Sequence, residues 1–183
     1  MKAIIFDCFG VLAENGWGLI DDKLQPTKQQ WDQMSAVSHA CDKGIISMEE
    51  LVQRFAETLD VQPQEVTEII DSQRKNLQLL DVIRTQLKPM YKIAMLSNVG
   101  SGFVQDYFTD EELQLFDVLT LSSDIGFAKP DPRIYKHCAN DLGVQAADCL
   151  FIDDSPVNIQ AAKELGMQAH LYTSLKGLRG LCE

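Results

Sequence analysis

Five short apolar runs constrain this chain more than any other feature. They cover Lys2–Phe6, Lys92–Leu96, Val118–Leu121, Cys149–Ile152 and Ala169–Tyr172. Runs of four or five residues without polar alternation suit strands buried on both faces, as in a parallel sheet. Helical patterns of crossover length lie between the later runs, which is the βαβ signature of an α/β fold. Two of those helices have clear starts and stops. Asp131 and Pro132 offer an N-cap and a first-turn proline ahead of Ile134, Tyr135, Cys138 and Leu142, with Gly143 as the stop. Ser155 and Pro156 do the same ahead of Ile159, Ala162 and Leu165, with Gly166 closing the helix.

The stretch from Glu14 to Leu87 breaks this rhythm. It holds no convincing strand and reads as three or four amphipathic helices, such as Lys28–Ala40, Met48–Leu59 and Pro63–Leu80. Ser47 followed by Glu50 is a capping-box candidate, and Gly44 separates the first two helices. One crossover needs far fewer residues, so the block is expected to be a helical insert. The expected division is residues 1–13 and 88–183 as an α/β core, with 14–87 as a cap.

Charge and cysteine usage narrow the function classes. A net charge of −11 over 183 residues argues against a nucleic-acid backbone or an anionic membrane as partner. It leaves room for a small anionic substrate, provided a metal and a few cations reverse the field locally. Cys8, Cys41, Cys138, Cys149 and Cys182 form no CxxC pair and fit reduced thiols. Ala3–Phe6 is too short for a signal peptide and no run reaches membrane-spanning length, so a cytoplasmic protein is expected.

In an open parallel sheet, ligands bind beyond the carboxyl ends of the strands. Those ends carry Asp7 followed by Phe9 and Gly10, then Ser97-Asn98, then Lys129, then Asp153-Asp154. Aspartate can attack phosphorus or carbon as a nucleophile. Asp7, Asp153 and Asp154 offer the hard oxygen ligands that Mg²⁺ prefers. Ser97, Asn98 and Lys129 can hold the oxygens of a phosphoryl group, with Phe9 and Gly10 beside them as further substrate contacts. His39, His137 and His170 share no ligand spacing and are expected to be structural or on the surface. In the insert, Arg54 and Arg74 are candidate substrate-facing cations, with a solvated helix face as the alternative. Trp17 and Trp31 read as cap packing.

The ordered set FDCFGVL (6–12), LSN (96–98), KPDPRIY (129–135) and FIDDSPVNIQAA (151–162) resembles the four motifs of the haloacid dehalogenase superfamily. The resemblance implies a Rossmann-like α/β fold with strand order 5-4-1-2-3 and a C1-type helical cap after strand one. It further implies Asp7 as nucleophile, Ser97 as phosphate contact and Lys129 as anchoring cation. Asp154 would be the principal Mg²⁺ ligand, with Asp153 at the metal or just behind it and the Phe9 carbonyl completing the shell. One position departs from the superfamily's phosphatases, which carry a second aspartate where this chain has Phe9. That aspartate protonates the leaving group and then activates water, a contribution worth roughly 3–5 kcal/mol of barrier. The superfamily's dehalogenases carry an aromatic residue there and need no metal, yet Asp153-Asp154 looks metal-binding and no arginine stands within 14–24. The leading expectation is a Mg²⁺-dependent phosphatase for a small phosphorylated metabolite, working through an aspartyl-phosphate on Asp7. A 2-haloacid dehalogenase and a phosphate- or partner-binding pseudoenzyme are the alternatives. Glu14 could act as a substitute acid; a solvated loop carboxylate is its other reading.

Overall fold

The chain is described by a computed structural model covering residues 1–178, so Cys182 lies outside the described residues. Five strands form one parallel sheet: β1 (Ala3–Phe6), β2 (Lys92–Ser97), β3 (Val118–Leu121), β4 (Cys149–Asp153) and β5 (Gln168–Leu171). Their spatial order is β3-β2-β1-β4-β5, the expected order read from the other edge. Strand β5 begins one residue earlier than its apolar run and is only partly buried, because it is an edge strand with a neighbour on one side.

Alternating side chains split the core into two layers, as the period of two in a strand demands. Ile4, Phe6, Ile93, Met95 and Ile152 face one side. Ala3, Ile5, Ala94, Leu96 and Phe151 face the other, beneath α9 (Pro132–Asp141) and α10 (Pro156–Glu164). Asp131 caps α9 as expected, its carboxylate accepting from Arg133 N at 2.9 Å. Ser155 stands at the N-cap of α10, but the capping acceptor there is Asp153, whose Oδ1 takes the Ser155 N–H at 2.8 Å.

After β1 come α1 (Gly16–Leu24), α2 (Lys28–Asp42), α3 (Met48–Leu59) and α4 (Pro63–Asp71). They gather their own apolar cluster around Ile20, Met34, Phe55, Val66 and Ile69. Ser47 caps α3 through Glu50 N at 3.1 Å, while the Glu50 carboxylate pairs with Arg54 instead of closing a capping box.

The single helix expected over Pro63–Leu80 is broken between Asp71 and Leu77. Two chain crossings pair there: Glu14 N donates to Arg74 O at 2.9 Å, and Asn76 N donates to Leu12 O at 2.8 Å. Asn76 then caps α5 (Leu77–Val82) through Leu79 N at 3.1 Å. Helix α5 and its continuation Ile83–Leu87 pack with the sheet cluster through Leu79, Leu80, Ile83 and Leu87. The helices α6 (Ser101–Tyr107), α7 (Asp110–Leu113) and α8 (Ser122–Ile125) connect the sheet beyond β2 and β3. Among the described residues, no helix is long and apolar enough to cross a membrane.

Candidate active site

The carboxyl ends of β1, β2 and β4 meet the helical insert at a cleft of 260 Å³. Asp7, Phe9, Ser97, Asn98, Lys129 and Asp154 all line it. Residues far apart in the chain converge there because a parallel sheet puts all its strand ends on one edge.

Lys129 is the electrostatic hub. Its Nζ stands 2.6 Å from Asp7 Oδ1 and 2.8 Å from Asp153 Oδ2, with its side chain 2% exposed. Burial pulls an ammonium's pKa down, but the charges of Asp7 and Asp153 override it and hold Lys129 above its ordinary value. Asp7 is pushed by burial up to about 8, with the Asp153 charge adding to the rise while Lys129 and the Cys8 N–H oppose it. That N–H reaches Asp7 Oδ1 at 2.6 Å and, with Lys129, sets the orientation of the carboxylate.

Asp153 is fully buried and densely hydrogen-bonded. Its oxygens accept from Ser155 N at 2.8 Å, from Asn158 Nδ2 at 3.1 Å each, and from Lys129. Asp154 is more open and accepts from Asn15 Nδ2 at 3.2 Å; burial also raises its pKa. Asp7, Asp153 and Asp154 each offer one carboxylate oxygen, all within 4.8 Å of one another, a donor set that fits a hard divalent cation.

The Ser97 hydroxyl is buried at the cleft and has no hydrogen-bond partner among the described residues. An orphaned buried hydroxyl costs about 1–3 kcal/mol, a cost that a bound oxyanion would relieve.

Two of the expected substrate contacts also have structural roles. Asn98 bridges the backbone of Lys129, accepting from Lys129 N at 2.8 Å and donating to Lys129 O at 3.0 Å. It holds the lysine loop in place, and one N–H of its amide remains at the cleft it lines. Gly10 does not line the cleft; at φ +87° it makes room for Asp154, whose Oδ2 would lie 2.1 Å from a Cβ there.

Arg54 pairs with Glu50 on the outer face of α3, and Arg74 also lies outside the cleft lining, so neither faces a substrate. Glu14 accepts from Arg74 N at 3.0 Å at the chain crossing and does not enter the cleft. Phe9 packs edge-on against Phe103 at 5.4 Å and lines the cleft as well. Trp17 likewise serves twice, packing on Trp31 at 5.1 Å and on Phe55 at 5.6 Å while forming part of the cleft wall.

Sequence reasoning missed Asn15, Asn158 and Asp42. Asn158 had a signal, standing five residues after Asp153 in the first turns of α10. Asn15 caps α1 through Trp17 N at 3.0 Å and so could have been read as a plain cap. Asp42, at the end of α2, had no signal.

A parallel sheet, an aspartate directly after its first strand and a lysine bridging two strand-end aspartates are the features of a haloacid dehalogenase-like hydrolase. The family model of that description matches residues 1–166, and the chain belongs to this family. Flavin mononucleotide hydrolase 1 of Arabidopsis thaliana is 30% identical over 133 residues, covering 69% of this chain and 52% of that protein. The sesquiterpene phosphatase astK of Aspergillus oryzae is 26% identical, covering 95% of this chain and 91% of its own. The chain spans about half or less of the length of several relatives, including 26% of the phosphatase MT3486 of Mycobacterium tuberculosis. Among solved structures, the HAD family enzyme bt-2542 of Bacteroides thetaiotaomicron, in complex with magnesium and inorganic phosphate, has a TM-score of 0.78. It is 23% identical, and the match covers 100% of both chains. The L-2-haloacid dehalogenase PA0810 shares the fold at a TM-score of 0.70 and 20% identity, covering 98% of this chain and 88% of its own.

Proposed function

We propose that this hydrolase is a Mg²⁺-dependent phosphatase acting on a phosphate monoester with an apolar body. The orphaned Ser97 hydroxyl carries the phosphate part of the reading, because it stands ready to donate to an oxyanion beside Asp7 and Lys129. Asp7 Oδ1 is engaged by the Cys8 N–H and by Lys129, which leaves Oδ2 to attack phosphorus. The new O–P bond forms on Asp7 as the ester P–O bond breaks, and water then attacks the aspartyl-phosphate to free phosphate. Lys129 and Ser97 hold the phosphoryl oxygens as charge builds on them.

Asp7, Asp154 and the Phe9 carbonyl are the groups that would hold Mg²⁺, with Asp153 behind them fixing Lys129. Bound there, the ion would mask the repulsion between Asp7 and the anionic substrate and polarise the phosphoryl group.

The apolar body follows from the walls. Trp17, Ile20, Leu51, Phe55, Ile70 and Phe103 line the cleft, and Lys129 is its only Lys or Arg among the described residues. A second phosphate would find no further cationic side chain there among the described residues, whereas an aromatic or alkyl group would be desolvated by the apolar walls. Relatives named for flavin mononucleotide and for a sesquiterpene phosphate fit that class.

The test is phosphate release from a panel of alkyl, aryl and sugar phosphates with Mg²⁺. Wild type is expected to favour the apolar monoesters, and Asp7→Asn or a chelator is expected to abolish release. Turnover by Asp7→Asn would remove the nucleophile assignment. Halide release from 2-chloropropionate in chelator, without phosphate release, would replace the reading with the dehalogenase that Phe9 permits.

A further inference from the structure

Phe9 leaves the reaction without a proton carrier at its usual place, yet the cleft holds one carboxylate with no assigned work. Among the described residues, the one lining carboxylate besides Asp7 and Asp154 is Asp42, the last residue of α2. Its position is fastened to the sheet edge. The Asp42 carbonyl accepts from Ser122 Oγ, at the carboxyl end of β3. Gly44, at φ +68°, packs so tightly on the next residue that a Cβ would stand 3.0 Å from Ser123 O. Ser123 N in turn donates to Val99 O at 3.4 Å, in the loop that follows Ser97. The end of α2 is therefore tied to the rim that carries the phosphate contacts. Asp42 is half-buried and lines the cleft, and its side chain makes no hydrogen bond or ion pair among the described residues.

We propose that Asp42 is the acid–base of the phosphatase reaction. Its carboxyl gives a proton to the leaving oxygen as the ester P–O bond breaks and the Asp7–phosphorus bond forms. The resulting carboxylate then takes a proton from the water that attacks the aspartyl-phosphate, which restores the acid. The assignment rests on the phosphatase reading above.

The electrostatics agree with the geometry. Burial pushes Asp42 up to about 6, against the charges of His39, Lys129 and Lys43 that pull it down. Asp124 stands on α8, the short helix to which the Asp42 carbonyl is bonded. A carboxyl titrating there supplies both forms near neutral pH, as a group that alternates between acid and base must. The other acids nearby are committed: Glu14 to Arg74 N, and the Tyr107 phenol to Gln73 O at 3.1 Å, with burial raising it to about 12.

The experiment compares wild type with Asp42→Asn on p-nitrophenyl phosphate and on an alkyl phosphate, with Mg²⁺. Nitrophenolate leaves without a proton, whereas an alkoxide needs one. Asp42→Asn should lower kcat/KM for the alkyl ester by about 10²–10⁴-fold. The single-turnover burst of nitrophenolate should stay within about tenfold of wild type, which also shows that the variant is folded. Adding Phe9→Asp to Asp42→Asn should restore at least about tenfold of the alkyl activity, by supplying a carboxyl from the other side. Alkyl turnover that falls less than tenfold, or equal losses on both esters, would overturn the assignment and leave the phosphatase reading intact. A wild type that releases phosphate from neither ester would overturn both.

Discussion

Replacing Lys129 with methionine tests the electrostatic hub directly. The side chain is 2% exposed and touches two carboxylates, Asp7 at 2.6 Å and Asp153 at 2.8 Å. At an effective dielectric of about 20, each contact carries about 6 kcal/mol of Coulomb attraction. Desolvation of the ammonium takes back several kcal/mol of that, so the net worth is smaller. Methionine keeps the volume but leaves two buried acids facing each other, and removing one partner of a buried pair costs about 3–5 kcal/mol. The folded variant must then bind more protons than wild type. The penalty therefore grows with pH, by up to about 1.4 kcal/mol per unit for each extra proton. Urea melts in Mg²⁺-free buffer at pH 6 and pH 9 measure this. We expect a loss of about 3–5 kcal/mol at the higher pH and a smaller one at pH 6. A loss below about 1 kcal/mol, or an equal loss at both pH values, would mean that Lys129 does not hold these acids.

Gly10→Ala should cost about 1–3 kcal/mol of stability, because alanine is strained at φ +87°. It should also weaken Mg²⁺ binding about 10–100-fold by displacing Asp154, as calorimetry can read; unchanged affinity would disconnect Gly10 from the metal ligand. In the metal-free protein Asp7 is raised by burial from 3.8 to about 8, so its contribution to stability fades as pH climbs between those values. The proton it holds competes with the cation, so Mg²⁺ affinity should rise by up to about tenfold per unit toward pH 8 and level off above. A flat profile from pH 6 to 9 would contradict that coupling.

Much of this molecule is visible in its letters because the relevant physics is local. Four or five consecutive apolar residues bury a strand from both sides wherever it sits, and β3 covers the run Val118–Leu121 without adjustment. Asp131 ahead of Pro132 starts a helix through atoms two residues apart. The strand-end polar residues follow from the same logic, since a parallel sheet sends every strand end to one edge. Asp7, Ser97, Lys129 and Asp154 are therefore grouped by their place in the sequence alone.

What the tertiary structure decided depends on contacts between distant segments, which no periodicity records. The apolar pattern runs on from Pro63 to Leu80, but pairing of residues 12–14 with 74–76 breaks the helix and sends its second half to the sheet. That Asn98 also braces the backbone of Lys129, 31 residues away, has no trace in the LSN motif. Nothing in the sequence singles out Asp42; Ser122, 80 residues on, bonds its backbone carbonyl and ties it to the rim of the cleft. The sequence by itself determined that Asp7 heads a strand-end site and that Phe9 cannot carry a proton. Only the packing of the α1–α4 helices against the sheet edge placed Asp42 at that cleft, because its position depends on contacts between segments far apart in the chain.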